Sequence, residues 1–297
     1  MSELSQPAVK TAATLIRRHH PLIWGQRTYL MGILNITPDS FSDGGEFETV
    51  EAAVQQAQSL VEAGADLLDI GGQSTRPQAA TVSLEVELGR VVPVVQALRG
   101  GCLDLRVPIS VDTTRAAVAR AAVQAGADLI NDVSGATYDP EMLPAIAALG
   151  VPIVLMHSRG TPQTMQQLTE YADLMVEITA WLQSRAAAAI AHGIQPSQII
   201  LDPGIGFAKT GAQNLEILRS LPKLGALGYP LLVGPSRKSF LGAILNQPEP
   251  QKRVWGTAAA CCGAISGGAD ILRVHDLAAM RDVCRVADAI WRSPGLT

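Results

Sequence analysis

The chain has 297 residues, 47% of them hydrophobic, 17% charged and 4% aromatic, enough apolar material for one large buried core. Its net charge of -4 offers nothing electrostatic to DNA, RNA or an acidic membrane face. The four cysteines match no metal or redox spacing, and no apolar run approaches the roughly 18 residues of a membrane span.

The first ten residues, MSELSQPAVK, lack the apolar stretch of a secretory leader, so a soluble cytoplasmic protein with reduced thiols is expected. Residues 1–27 precede the first strand and are expected to form an arm or small hairpin over one end of the fold. Strands are then predicted at 29–34, 66–70, 108–111, 128–131, 152–156, 198–201, 230–233 and 270–274. Each reads as a near-continuous apolar run, the pattern of parallel strands covered on both faces. Helical stretches rich in Ala, Leu and Gln separate them, the longest over 168–191. Eight strand–helix pairs predict an α/β fold, a closed (β/α)8 TIM barrel spanning 28–297 as a single domain; an open doubly wound sheet is the rival. A weak repeat favours the barrel: Ala63-Gly64-Ala65-Asp66, Ala125-Gly126-Ala127-Asp128 and Gly267-Gly268-Ala269-Asp270 each close a helix and open a strand.

In such a barrel the chemistry gathers where strands end. Asp112, Asn131, Met156 and Asp202 fall there, and two carboxylates with an amide suit a flat ring edge carrying N–H donors beside a carbonyl. Each acid alone is as well explained by a cap or an ion pair; three groups together favour a ligand. Arg76, Arg237, Lys238, Arg273 and His275 form a cationic set suited to phosphate oxygens. Asn35 has the oxygen that Mg2+ takes when phosphate and water supply its other ligands, although a lone Asn before Thr37-Pro38 also reads as a turn residue. The stretch 40–45, Gly-rich with the single aromatic Phe41, suits a lid.

These strings resemble one family. GILNITPDSFSDGG at 32–45 and GGQSTRP at 71–77 are similar to the two signatures of dihydropteroate synthases. Val111-Asp112-Thr113, Ile130-Asn131-Asp132, Leu155-Met156-His157, LDPGIGF at 201–207, Ser236-Arg237-Lys238-Ser239 and Arg273-Val274-His275-Asp276 follow in family order. The resemblance implies an enzyme of folate synthesis that joins 6-hydroxymethyl-7,8-dihydropterin pyrophosphate to p-aminobenzoate by an SN1-like path, with Mg2+ and as a homodimer. It assigns Asp112, Asn131, Met156, Asp202, Lys238 and Arg273 to the pterin. Asn35, Thr75, Arg76, Arg273 and His275 go to the pyrophosphate, with Asn35 at the metal. Phe41, Thr75, Pro77, Phe207, Ser236 and Lys238 go to p-aminobenzoate, and Asp112, Arg76 and Lys238 are the expected catalytic groups. Gln73 stands where the family usually has Glu, Gln78 where it has Gly, and Ser158-Arg159-Gly160 where Met-x-Gly is commoner. The rivals are a pterin-binding methyltransferase, which needs no pyrophosphate site, a binding-only homologue, and an aldolase using Lys238.

Overall fold

The computed structural model describes residues 13, 14, 16, 19–36, 46–76, 79–100 and 107–292, the side chains of 46–49 excepted. Phe41 and Pro77, and the whole of the expected lid at 40–45, lie outside these residues.

A short antiparallel pair opens the chain, β1 (Ala13–Thr14) with β2 (Leu22–Ile23). Eight parallel strands follow: β3 (Tyr29–Asn35), β4 (Leu67–Gly71), β5 (Ile109–Asp112), β6 (Leu129–Asp132), β7 (Ile153–Met156), β8 (Ile199–Asp202), β9 (Leu232–Val233) and β10 (Ile271–Val274). They pair in the order β8-β7-β6-β5-β4-β3-β10-β9, and a parallel bridge between Leu201 and Leu231 joins the two ends. The sheet is therefore a closed barrel, not the open rival. Helices α1 (Glu46–Glu62), α2 (Leu84–Gly100), α3 (Ala116–Ala125), α4 (Met142–Leu149), α5 (Leu174–Ala191), α6 (Gly211–Gly225), α7 (Ser239–Leu245), α8 (Val254–Ser266) and α9 (Leu277–Trp291) accompany it. Among the described residues no helix is long and apolar enough to cross a membrane.

The unbroken apolar character of the strands has two causes, one on each face. Side chains at even steps, such as Leu30, Leu68, Ile130 and Leu272, pack outward under the helices. Those between them, Met31, Leu67, Leu129, Val154, Ile200, Leu232 and Ile271, fill the barrel and form a second cluster. Ile16, Leu22 and Trp24 of the N-terminal segment belong to that inner cluster, so the segment plugs the floor. Trp24 donates from its indole N–H to Thr14 Oγ1 at 3.2 Å and meets Tyr29 edge-on at 5.6 Å.

Six of the eight strands begin one residue later than their patterns predict, and five end one residue later. The repeated joint explains three of the starts, those of β4, β6 and β10. Gly64, Gly126 and Gly268 take φ values of 107°, 122° and 91°, which turn the chain back sharply. The aspartate two residues on lies just before its own strand, and its side chain caps a neighbouring one. Asp66 accepts from Leu30 N, Asp128 from Ile109 N and Asp270 from Leu231 N, each at 2.8 Å. Arg27, Arg99 and Arg292 respectively face these three carboxylates. The long helix is shorter than expected because Asp173 caps it, accepting from Val176 N at 3.0 Å, and 168–173 remains loop.

Removing the floor plug leaves a cavity beneath the inner cluster. Trp24→Ala is expected to cost about 3–5 kcal/mol of unfolding free energy; a urea midpoint unchanged from wild type would show that the segment is not part of the core.

Candidate active site

Above the apolar plug the inward positions turn polar. Asp69 on β4, Asp112 on β5, Asn131 on β6, Asp202 on β8 and Arg273 on β10 all approach the barrel axis near the strand ends. Arg273 is the hub. Its Nε donates to Asp69 Oδ2 at 2.6 Å and its Nη2 to Asp112 Oδ2 at 3.1 Å. Asn131 Nδ2 donates to the same Asp69 oxygen at 3.1 Å. Among the described residues Asp69 Oδ1 and Asn131 Oδ1 are buried without a hydrogen-bond partner, and Asn131 lines the cavity described below.

Burial sets the protonation of these groups. It pushes Asp112 well above the usual carboxylate range, although Arg273 pulls the other way. Burial raises Asp202 to about 6 against the Gly204 N–H, Lys238, Lys209 and Arg273, which all favour its charged form. Asp202 Oδ1 accepts from Gly204 N at 2.7 Å; Gly204 has φ of 71°, and a Cβ there would collide with the His157 carbonyl oxygen. Lys238 is held down to about 8 by burial and by Arg273, with its ammonium 4.3 Å from the centre of the Phe207 ring.

Asp112, Asn131, Asp202, Lys238 and Arg273 line one cavity of about 370 Å³, together with Asn35, Thr75, Arg76, Met156, Phe207, Ser236 and His275. A second cavity beside it is walled off by Thr75, Val133, Met165 and Phe207, which line both. Arg76 is exposed at the mouth. Asn35 ends β3 with its Oδ1 so close over Gly71 that a Cβ on that glycine would lie 3.4 Å away.

The cationic set divides. Arg237, with φ of 58°, spends its guanidinium on Asp276 through contacts of 3.0 and 2.5 Å. Thr257 accepts from its N–H and Arg253 donates to its carbonyl, holding this strained backbone in place. It lines the cavity as a braced wall, not as a free phosphate ligand. His275 is a neutral ring rather than a cation, because burial, Arg237 and Arg273 lower its pKa to about 3. Its backbone N–H donates to Ser236 Oγ at 3.2 Å, and that hydroxyl lies 3.0 Å from His275 Nδ1.

Sequence reasoning missed Asp69, which is 0% exposed and paired with Arg273. Its signal was an acid inside the apolar run Leu67-Leu68-Asp69-Ile70, in phase with the inward Leu67. Ser239, at the start of α7, also lines the cavity and had no assigned role.

Residues 31–275 match the family model for pterin binding enzymes. A dihydropteroate synthase from Synechocystis is 61% identical over 269 residues, covering 91% of this chain and 92% of the relative. The Yersinia pestis dihydropteroate synthase, solved with a sulfonamide drug complex, has a TM-score of 0.87 at 44% identity, covering 95% of this chain and 100% of that one. The Xanthomonas albilineans enzyme, solved with 7,8-dihydropteroate, has a TM-score of 0.81 at 43% identity, covering 92% and 97%. A closed barrel with paired acids and an arginine inside its mouth, and relatives this close over nearly the whole chain, place the protein in the dihydropteroate synthase family of pterin-binding enzymes.

Proposed function

We propose that this chain condenses 6-hydroxymethyl-7,8-dihydropterin pyrophosphate with p-aminobenzoate, giving 7,8-dihydropteroate and pyrophosphate for folate synthesis. The observation that carries this reading is the buried set of Asp69, Asp112, Asn131 and Asp202 gathered about the half-buried Arg273, in a family whose Xanthomonas member is solved with 7,8-dihydropteroate. The pterin ring edge supplies N–H donors to Asp112, Asn131 and Asp202, while Lys238 and Arg273 meet its carbonyl and face, and Met156 packs beneath. Arg76, Thr75, His275 and the N–H groups of Arg273 not spent on Asp69 and Asp112 face the pyrophosphate. His275 serves there as a neutral donor.

Asn35 suits Mg2+: its amide oxygen sits at the mouth over a bare glycine, and a metal with one protein ligand takes the rest from phosphate and water. Bound there, the ion would neutralise charge on the leaving pyrophosphate. The C–O bond to pyrophosphate breaks with its electron pair leaving on oxygen, and the buried carboxylates stabilise the positive charge that spreads over the pterin methylene. The aniline nitrogen of p-aminobenzoate attacks that carbon and then loses a proton to solvent. Phe207, Thr75 and Ser236, with Phe41 and Pro77 from the loops, would hold the aminobenzoate in line, so position matters more than a strong base.

The same reading takes residues 1–27 as an arm and 28–297 as one domain in a cytoplasmic enzyme, with the free thiols Cys261, Cys262 and Cys284 kept reduced. It also takes a homodimer through α8 and α9, supported by the exposed apolar Trp255, Val286, Ile290 and Trp291 on those helices.

Purified protein given both substrates and Mg2+ is expected to release dihydropteroate and pyrophosphate in equal amounts, to stop on chelation and to recover when Mg2+ is restored. Absence of product would defeat the reading. Asp202→Asn, which keeps the shape and removes the charged acceptor, is expected to weaken pterin binding roughly tenfold to a hundredfold. Because burial raises Asp202 to about 6 and Asp112 to about 7, and both must be ionised to accept N–H donors, affinity for a pyrophosphate-free pterin should fall at least about tenfold between pH 7 and 5. Calorimetric affinities that stay level to pH 5 would mean that the acids bind in neutral form.

A further inference from the structure

One buried charge has no part in the chemistry above. Lys209 follows the loop that leaves β8 and precedes Thr210, the cap of α6. It is buried, at 3% exposed. It donates to Phe207 O at 2.8 Å, to His157 Nδ1 at 3.0 Å and, more weakly, to His157 O at 3.5 Å. Among the described residues none of these contacts is a carboxylate. A lysine ammonium carries only donors, so the imidazole must accept through Nδ1 and is neutral. The His157 ring is fixed edge-on against Trp181 at 5.0 Å.

An ammonium buried with only neutral acceptors is costly, and such a group usually neutralises or is replaced unless something keeps it. Two features surround this one. The first is the loop it ties. Ala208, between Phe207 and Lys209, has φ of 49°, a strained value for a residue with a Cβ, and Tyr171 Oη donates to its carbonyl at 3.0 Å. Lys209 and Tyr171 thus clamp consecutive carbonyls of a backbone that would otherwise relax, and the residue so aimed is Phe207, the wall beneath Lys238. The second is Asp202. The charged groups bearing on it are Lys238 from the start of α7, Arg273 from β10 and Lys209 from behind the loop; Lys209 in turn feels Asp202, Lys238 and Arg159.

We propose that Lys209 is a positioning residue for both substrates: its ammonium, bonded behind the loop after β8 to the carbonyls of Phe207 and His157, holds the loop whose Gly204 N–H meets Asp202 and fixes Phe207 against the aminobenzoate. The inference rests on the reading that Asp202 binds the pterin. It does not make Lys209 a catalytic group, since a loop separates it from the cavity.

The test uses Lys209→Met and Lys209→Gln in the full chain, with Asp202→Asn in parallel. Pterin affinity is measured by calorimetry from pH 5 to 9, and the KM for p-aminobenzoate at saturating pterin pyrophosphate and Mg2+. Lys209→Met is expected to raise the aminobenzoate KM about tenfold, the loss of one or two hydrogen bonds to a loop, and to move the acid limb of pterin binding up by about one pH unit. Lys209→Gln keeps N–H donors for the carbonyls but no charge. It should restore the KM to within about threefold while leaving the acid limb displaced. A KM and an acid limb unmoved in both variants would overturn the proposal, and so would failure of both to fold, which would make Lys209 a core residue only. If Asp202→Asn itself binds pterin like wild type, the reading of the site fails instead, and the two failures are told apart.

Discussion

Everything at the mouth of this barrel is organised around one guanidinium. Arg273 enters from β10, between β3 and β9, and reaches carboxylates on β4 and β5. Two buried carboxylates beside a half-buried guanidinium would be costly separately and are tolerable as a group, because each offsets part of the desolvation penalty of another. Asn131, bonded to the same Asp69 oxygen, extends the group to β6, so side chains from four strands are held in fixed relation before any ligand arrives. The apolar plug below, sealed by Trp24 and its neighbours, shields the group from water on that side and keeps its field strong.

The same residue type does two jobs at the two ends of the strands. At the floor, Asp66, Asp128 and Asp270 are spent: each accepts a backbone N–H and faces an arginine. At the mouth, Asp112 and Asp202 keep acceptor capacity facing a cavity. The difference is topological rather than chemical. A strand's N-terminal end presents unpaired N–H groups that a carboxylate satisfies, whereas at the C-terminal end the carboxylate must find its donors elsewhere. That is why a fold with 27 acidic residues can place only a few at its site without disturbing the rest.

Much of this could be read from the chain. Eight apolar runs and a thrice-used Gly-Ala-Asp joint gave the barrel, and the polar residues after each run gave most of the mouth. Three strand starts slipped by one because Asp66, Asp128 and Asp270, which open the predicted runs, turn their side chains to cap a neighbour. Asp69 escaped because attention fell on strand ends, while its place in the inward phase of β4 needed the register. Arg237 looked like a phosphate ligand because nothing local reveals that Asp276, 39 positions later, takes its guanidinium. His275 looked cationic because the sequence does not tell how deeply a ring is buried. Lys209 drew no notice at all, since a lysine before a helix cap is ordinarily a surface residue.

The site also bears on what the empty protein can afford in stability. Asp202 is raised to about 6, so its folded form binds the proton more tightly than the unfolded chain does, and stability falls as pH rises from about 4 through 6. Lys238 and Lys209 are lowered to about 8 and about 7, so the unfolded chain binds their protons more tightly, and stability falls as pH drops from about 10 through those values. The two penalties overlap around neutral pH, where all three groups are strained toward charges that burial disfavours. On the proposed reading, a pterin whose N–H donors meet Asp202 and whose carbonyl meets Lys238 would stabilise the charged form of both groups, which burial holds at a loss. Binding would then relieve a tension built in during folding, and the ligand that relieves most of it is one with N–H donors beside a carbonyl.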